Sequence, residues 1–174
     1  MSTGTYYVYF QPERAGAGKV RLQVPAEEFL KADNFNVILD IINDKAVRQL
    51  IDKYGAWIAS DEKPKHVRLA IDTRSGIFIT ARYSPSEYRY TYYVCIMVGG
   101  KCAYGSGASL GDAMKRAAQE LRGIVARAEA LKKVLEDSGV DASKLAGADA
   151  YVSAALNLDE AKEVLEVLEA SLGQ

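Results

Sequence analysis

The chain changes its hydrophobic period once. Between Val67 and Tyr104 apolar and polar residues alternate, the two-residue period of strands with one covered face; from Leu110 onward apolar residues recur in steps of three and four, as on helices. Val67, Leu69 and Ile71 make a first alternating run. The loop Asp72-Thr73-Arg74-Ser75-Gly76 then returns the chain into Ile77, Ile79 and Ala81, so that the two apolar rows share a face. Ser84-Pro85-Ser86-Glu87 predicts a turn with proline at its second position and Tyr83 paired with Tyr88. That register sets Arg82 opposite Arg89, Thr80 opposite Thr91 and Phe78 opposite Tyr93 on the other face. Gly99-Gly100 predicts a two-residue hairpin that sets Met97 opposite Cys102 and Cys95 opposite Tyr104.

Upstream, residues 5–10 and 19–24 read as short strands around a glycine-rich loop, with Pro25 opening a helical region. Its apolar positions Phe29, Phe35, Ile38, Leu39, Ile42, Val47, Leu50 and Ile51 lead to a stop at Gly55. Residues 56–59 read as a strand, with Trp57 in the core. Downstream, Ser109 is an N-cap with Asp112 three residues on, and Gly139 is the stop of a long helix. That helix carries Leu110, Met114, Ala117, Leu121, Ile124, Ala128, Leu131 and Leu135 in alternating steps of four and three. The pattern returns at Leu158, Ala161, Leu165, Leu168 and Leu172. Two narrow seams of this kind predict association between chains through Leu121, Ile124, Leu131, Leu135, Leu158, Leu165, Leu168 and Leu172. The alternative is that both helices cover the chain's own sheet.

The expected fold class is therefore α+β: an antiparallel sheet with helices packed on one face, followed by a leucine-rich, coiled-coil-like C-terminal module. Residues 1–108 read as an α+β nucleic-acid-binding domain and 109–174 as a helical oligomerisation module.

Charge sharpens this division. The net charge is −1, yet residues 1–108 hold 14 Lys and Arg against 11 Asp and Glu, while 109–174 hold 8 against 12, so an anionic partner belongs on the first part. From Lys63 to Lys101 the balance is seven to two, which narrows the anion-facing surface to the alternating strands. No stretch is apolar and long enough for a membrane span and no signal peptide is apparent, so a cytoplasmic protein without a membrane partner is expected. Cys95 and Cys102 fall on a diagonal about 7 to 8 Å apart, at or beyond disulfide reach, and free thiols are expected.

Enzyme chemistry finds little to stand on. His66 is the single histidine, too few for a four-ligand metal site with the two cysteines and a weak basis for a nucleophile–base pair. The clusters Gly16-Ala17-Gly18 and Gly105-Ser106-Gly107 lack the residues of a phosphate loop or a dinucleotide fingerprint and read as turns. Neither a catalytic site, a metal nor a cofactor is expected, although a small-molecule enzyme with an unrecognised site is a further alternative. What remains is the second face of the sheet, where Lys65, Arg68, Phe78, Arg82, Arg89, Tyr93, Met97 and Tyr104 gather. Rings stack on bases and guanidinium groups hold phosphates, the means by which single strands are bound without sequence reading. Arg82 opposed to Arg89 would repel unless an anion, or a carboxylate such as Glu87, lay between them. The competing possibility is that helices cover this face and its tyrosines are core.

The strands from Val67 to Tyr104, followed by the heptad residues Leu121, Ile124, Leu131, Leu135, Leu158, Leu165 and Leu172, resemble the plan of the ThermoDBP family of Thermoproteales archaea. The resemblance is architectural and covers most of the chain. It implies a dimer that binds single-stranded DNA without sequence preference. A second, local likeness is to the C-terminal half of double-stranded-RNA-binding domains, in Val98-Gly99-Gly100-Lys101, Gly105-Ser106-Gly107-Ala108-Ser109, Ala113 and Ala117-Ala118. There the family's phosphate-gripping lysines are replaced by Leu110, Gly111 and Met114. The expected function is sequence-nonspecific binding of single-stranded nucleic acid. A structural or adaptor protein assembling through its C-terminal helices, and a double-stranded-RNA-binding module, are the alternatives.

Overall fold

A computed structural model describes residues 6–10, 20–22, 35–61, 66–145 and 150–172. Seven strands form one antiparallel sheet: β1 (Tyr6–Phe10), β2 (Val20–Leu22), β3 (Ala56–Asp61), β4 (His66–Ile71), β5 (Ile77–Ser84), β6 (Arg89–Val98) and β7 (Lys101–Gly107). Their spatial order is β2-β1-β3-β4-β5-β6-β7, so β3 to β7 follow as consecutive neighbours. The helices are α1 (Phe35–Ile42), α2 (Lys45–Tyr54), α3 (Leu110–Asp137), α4 (Ala150–Leu156) and α5 (Leu158–Leu172), with a 3-10 turn at Ala142–Leu145. The expected helix opening at Pro25, Phe29 and the loop around Gly16 lie outside the described residues. The helical region that follows divides at Asn43, because the Asp44 carboxylate accepts from Ala46 N and Val47 N and starts α2 afresh. Gly55, at φ 82°, stops α2 as its position suggested.

Alternation along the strands puts Val67, Leu69 and Ile71 beside Ile77, Ile79 and Ala81, then Val94, Ile96, Val98 and Ala103, in one buried row set. All five helices pack on that face. The same cluster takes in Ile38 and Ile41 of α1, Leu50 of α2, Leu121 and Ile124 of α3, Ala154 of α4 and Leu158, Leu165 and Leu168 of α5. The mixed α+β class and the one-sided helical layer are as expected, but one core runs through both sides of residue 108.

That continuity corrects the reading of the seams. Leu121, Ile124, Leu158, Leu165 and Leu168 are buried against the chain's own sheet and neighbouring helices. The reason is the width of the apolar stripe. Ala113, Ala118 and Val125 are buried alongside the heptad positions of α3, and Val164 alongside those of α5, giving the broad face of a core-covering helix. Leu131 and Leu135 lie past Ala128, the last buried residue of α3, and are partly exposed. The side chain of Leu172 is outside the described residues.

Where α3 crosses β7 the two backbones nearly touch. A Cβ added to Gly105 would overlap the Ala113 carbonyl oxygen and stand 2.5 Å from the Ala117 nitrogen, so a residue without a side chain is needed there. The same helix guards the sheet edge. The Glu120 carboxylate accepts from Tyr104 N at 2.6 Å, and Arg116 donates to the Ser106 carbonyl, occupying backbone groups that an edge strand otherwise offers to another chain. Ser109 caps the helix start, its hydroxyl accepting from Asp112 N, and Gly139 at φ 72° follows its end.

Candidate nucleic-acid interface

The face turned away from the helices is built by the alternate residues of the same strands. In β4 it carries His66, Arg68 and Ala70; in β5 Phe78, Thr80, Arg82 and Ser84; in β6 Arg89, Thr91, Tyr93, Cys95 and Met97; in β7 Cys102, Tyr104 and Ser106. These positions include three arginines and no carboxylate. One ladder row runs Trp57, Ala70, Phe78, Cys95, Tyr104, so that a ring stands on every second strand. Trp57, expected in the core, is instead half-buried on this open side.

The register differs from expectation in one hairpin. Arg82 lies opposite Thr91, Thr80 opposite Tyr93, Phe78 opposite Cys95 and Tyr83 opposite Tyr90; Arg82 and Arg89 are not partners. The turn itself forms where proline directs it, with Glu87 N donating to the Ser84 carbonyl at 3.2 Å. Tyr88 then adopts φ 54°, a left-handed conformation uncommon for a side-chain-bearing residue, and brings Arg89 rather than Tyr88 alongside the outgoing strand. Each partner moves by two residues. Because two is the strand period, every side chain keeps its face, and only the opposed neighbours change. Arg89 has its anion after all, donating through Nε to Glu87 Oε2 at 3.0 Å.

The second hairpin has the expected register, with Gly99 and Gly100 at φ 57° and 85°, Met97 opposite Cys102 and Cys95 opposite Tyr104. The expectation of free thiols fails nevertheless. Cys95 and Cys102 form a disulfide, their Cα atoms 5.5 Å apart. Right-handed sheet twist shortens one diagonal of a strand pair relative to the other, and the cysteines occupy the short one.

The remaining residues form a graded surface. The Arg68 guanidinium lies 4.4 Å from the centre of the Phe78 ring while staying exposed, a cation held over an aromatic face. Tyr93 and Tyr104 are tilted neighbours at 6.4 Å, and Tyr104 is 47% exposed on the edge strand. Arg82 is exposed and makes no ion pair among the described residues. Arg68, Phe78, Tyr93, Met97 and Tyr104 therefore share one surface, Arg82 and Arg89 stand toward the β5–β6 hairpin, and Lys65 lies outside the described residues.

No protein-family model, curated protein or solved structure matches this chain. The arrangement offers rings for stacking and guanidinium groups for anions, with Arg89 already engaged by Glu87.

A second group of aromatic and basic side chains sits on the helix side, where β7 begins. Arg127 of α3 donates to the Tyr151 hydroxyl of α4 at 2.8 Å, its guanidinium 5.7 Å from the ring centre, and Lys101 Nζ is 5.0 Å from the same centre. Hydrogen bonds from Lys101 and then Arg127 hold the Tyr151 phenol below its usual ionisation range. Tyr92, half-buried against the core, shifts the opposite way, through burial first and the Asp40 carboxylate second. Sequence periodicity had no means of finding the Tyr151 group, because its three members come from three separate elements.

Proposed function

We propose that this chain binds single-stranded nucleic acid, without sequence preference, on the open face of its sheet. The observation that carries the reading is the Arg68–Phe78 stack, 4.4 Å from guanidinium to ring centre, set on the same face as the Tyr93–Tyr104 pair. A base can extend such a stack, and Arg82 supplies charge for the backbone. The preference for DNA, and for a dimer, comes from the ThermoDBP resemblance. Anisotropy of a labelled oligonucleotide titrated at rising salt tests the proposal. Affinity should fall on a log–log plot, and Arg82→Gln should flatten the slope by about 0.7 if its phosphate contact is lost. Salt-insensitive or absent binding overturns it.

A second reading, assembly through the C-terminal helices, is favoured by the apolar groups left exposed past the core. Val134 is 59% exposed on the last turns of α3, with Leu131 and Leu135 beside it in sequence. Under this reading Val134→Asp makes any concentration-dependent mass increase in light scattering disappear. An unchanged assembly removes this end of α3 from consideration.

A further inference from the structure

Two cations converge on one phenol, and among the described residues neither has a carboxylate partner. Lys101 Nζ lies 5.0 Å and the Arg127 guanidinium carbon 5.7 Å from the centre of the Tyr151 ring. Elsewhere on the helix layer Arg122 meets Glu169, Lys162 meets Glu129 and Lys53 meets Glu163. Two like charges held around the same ring repel each other, and the arrangement is relieved when an anion bridges them. Surface repulsion of this kind is small in water, and the geometry of the donors adds to it. Arg127 offers a planar fork of donors, Lys101 a compact charge, and the Tyr151 hydroxyl a third polar group between them.

The site is also accessible. Arg127 is exposed, and one helical turn before it Gly123 leaves open space where a side chain would otherwise stand. Lys101, Arg127 and Tyr151 come from β7, α3 and α4, and α3 and α4 both pack in the same core, so the donors are held by three fixed elements rather than by a loop.

We infer that Lys101, Arg127 and Tyr151 form a phosphate-binding site, separate from the open face and lying on the helix side of edge strand β7. The phosphate is either a free or terminal group or part of a polynucleotide backbone that has passed over the β7 edge. The oxyanion would bridge Lys101 and Arg127 beside the Tyr151 ring that both cations meet. The site does not depend on nucleic acid binding at the sheet.

The test is titration with inorganic phosphate at constant ionic strength, followed by amide and Arg side-chain N–H resonances, with chloride as the control. Saturable shifts centred on Lys101, Arg127 and Tyr151 are expected, weakened about tenfold or more in Lys101→Gln and in Arg127→Gln, since charge-assisted bonds are lost. Short oligonucleotides with and without a 5′ phosphate then identify the source. Competition with inorganic phosphate by both marks a backbone phosphate; competition by the phosphorylated form alone marks a terminal one. If inorganic phosphate binds here while no oligonucleotide engages Phe78 or Tyr104, the site stands and the sheet-face proposal falls. Shifts that do not saturate, that appear equally in chloride, or that persist unchanged in both variants overturn the inference.

Discussion

The two faces of this sheet are written by the same residues in alternation, yet they answer to different rules. The central positions of the covered face, from Val67 and Ile79 to Ala103, are small or aliphatic and buried, and the helices fit it closely enough that Gly105 cannot carry a side chain. On the open face the rows mix Arg68, Phe78, Thr80, Tyr93 and Tyr104, partly exposed and in contact across strands. The covered face is constrained by volume, so a substitution there should register as lost stability. Substitutions on the open face, constrained by what it touches, should instead register as lost affinity.

The largest expected effect breaks the covered face. Gly105→Ala drives a methyl group into the backbone of α3, and a loss of about 3 kcal/mol or more in denaturant unfolding is expected, above the usual range for overpacking because the opposing atoms are backbone. Leu121→Ala, fully buried, should cost about 2 to 5 kcal/mol by leaving a cavity between α3 and the sheet. If either variant unfolds at the wild-type midpoint, the packing described between α3 and the sheet is wrong.

The next effect sharpens the contrast. Tyr104→Ala on the open edge should change stability by no more than about 1 kcal/mol, the span of strand propensity. Oligonucleotide affinity should fall by about 1 to 3 kcal/mol with the salt slope unchanged, as for loss of one stacking ring. Unaltered affinity in a folded Tyr104→Ala and in Phe78→Ala would take the open face out of the binding site.

The same contrast explains what the sequence disclosed. Alternation assigned nearly every residue of β4 to β7 to its correct face, because parity survives a register error of two; Arg82 and Phe78 kept their face while changing partners. Partners depend on the conformation of one turn residue, Tyr88, which propensity does not favour in the left-handed region. The C-terminal seams differ from expectation for another reason. A heptad count follows one position in every three or four and passes over Ala113, Ala118 and Val125 beside them, and those residues turn a narrow seam into a face that fits a sheet. Of the two arginines expected to need an anion, Arg89 is answered by Glu87 within its own hairpin, whereas the convergent cations with no acid among the described residues are Lys101 and Arg127. Nothing in the linear pattern joins those two, 26 residues apart in the sequence and brought together by tertiary packing.

The smallest expected effect compares one tyrosine from the covered side with one from the rim. Tyr92 ionises above the usual tyrosine value near 10, because burial and the Asp40 carboxylate both oppose a phenolate. Its folded-state value is raised, so its contribution to stability is complete below the unfolded value and is lost as pH climbs through the folded one. Tyr151 behaves inversely. Lys101 and Arg127 favour its phenolate, so its contribution is absent at neutral pH, builds as pH rises through the lowered folded value, and is complete above the unfolded one. Ultraviolet titration of the folded chain should therefore lose its earliest tyrosine step in Tyr151→Phe and a late step in Tyr92→Phe. Saturating phosphate should move the Tyr151 step upward, since an added anion offsets the two cations, and should leave the Tyr92 step in place. A Tyr151 step that does not precede the others in the wild-type chain would mean that the two cations do not act on its phenol.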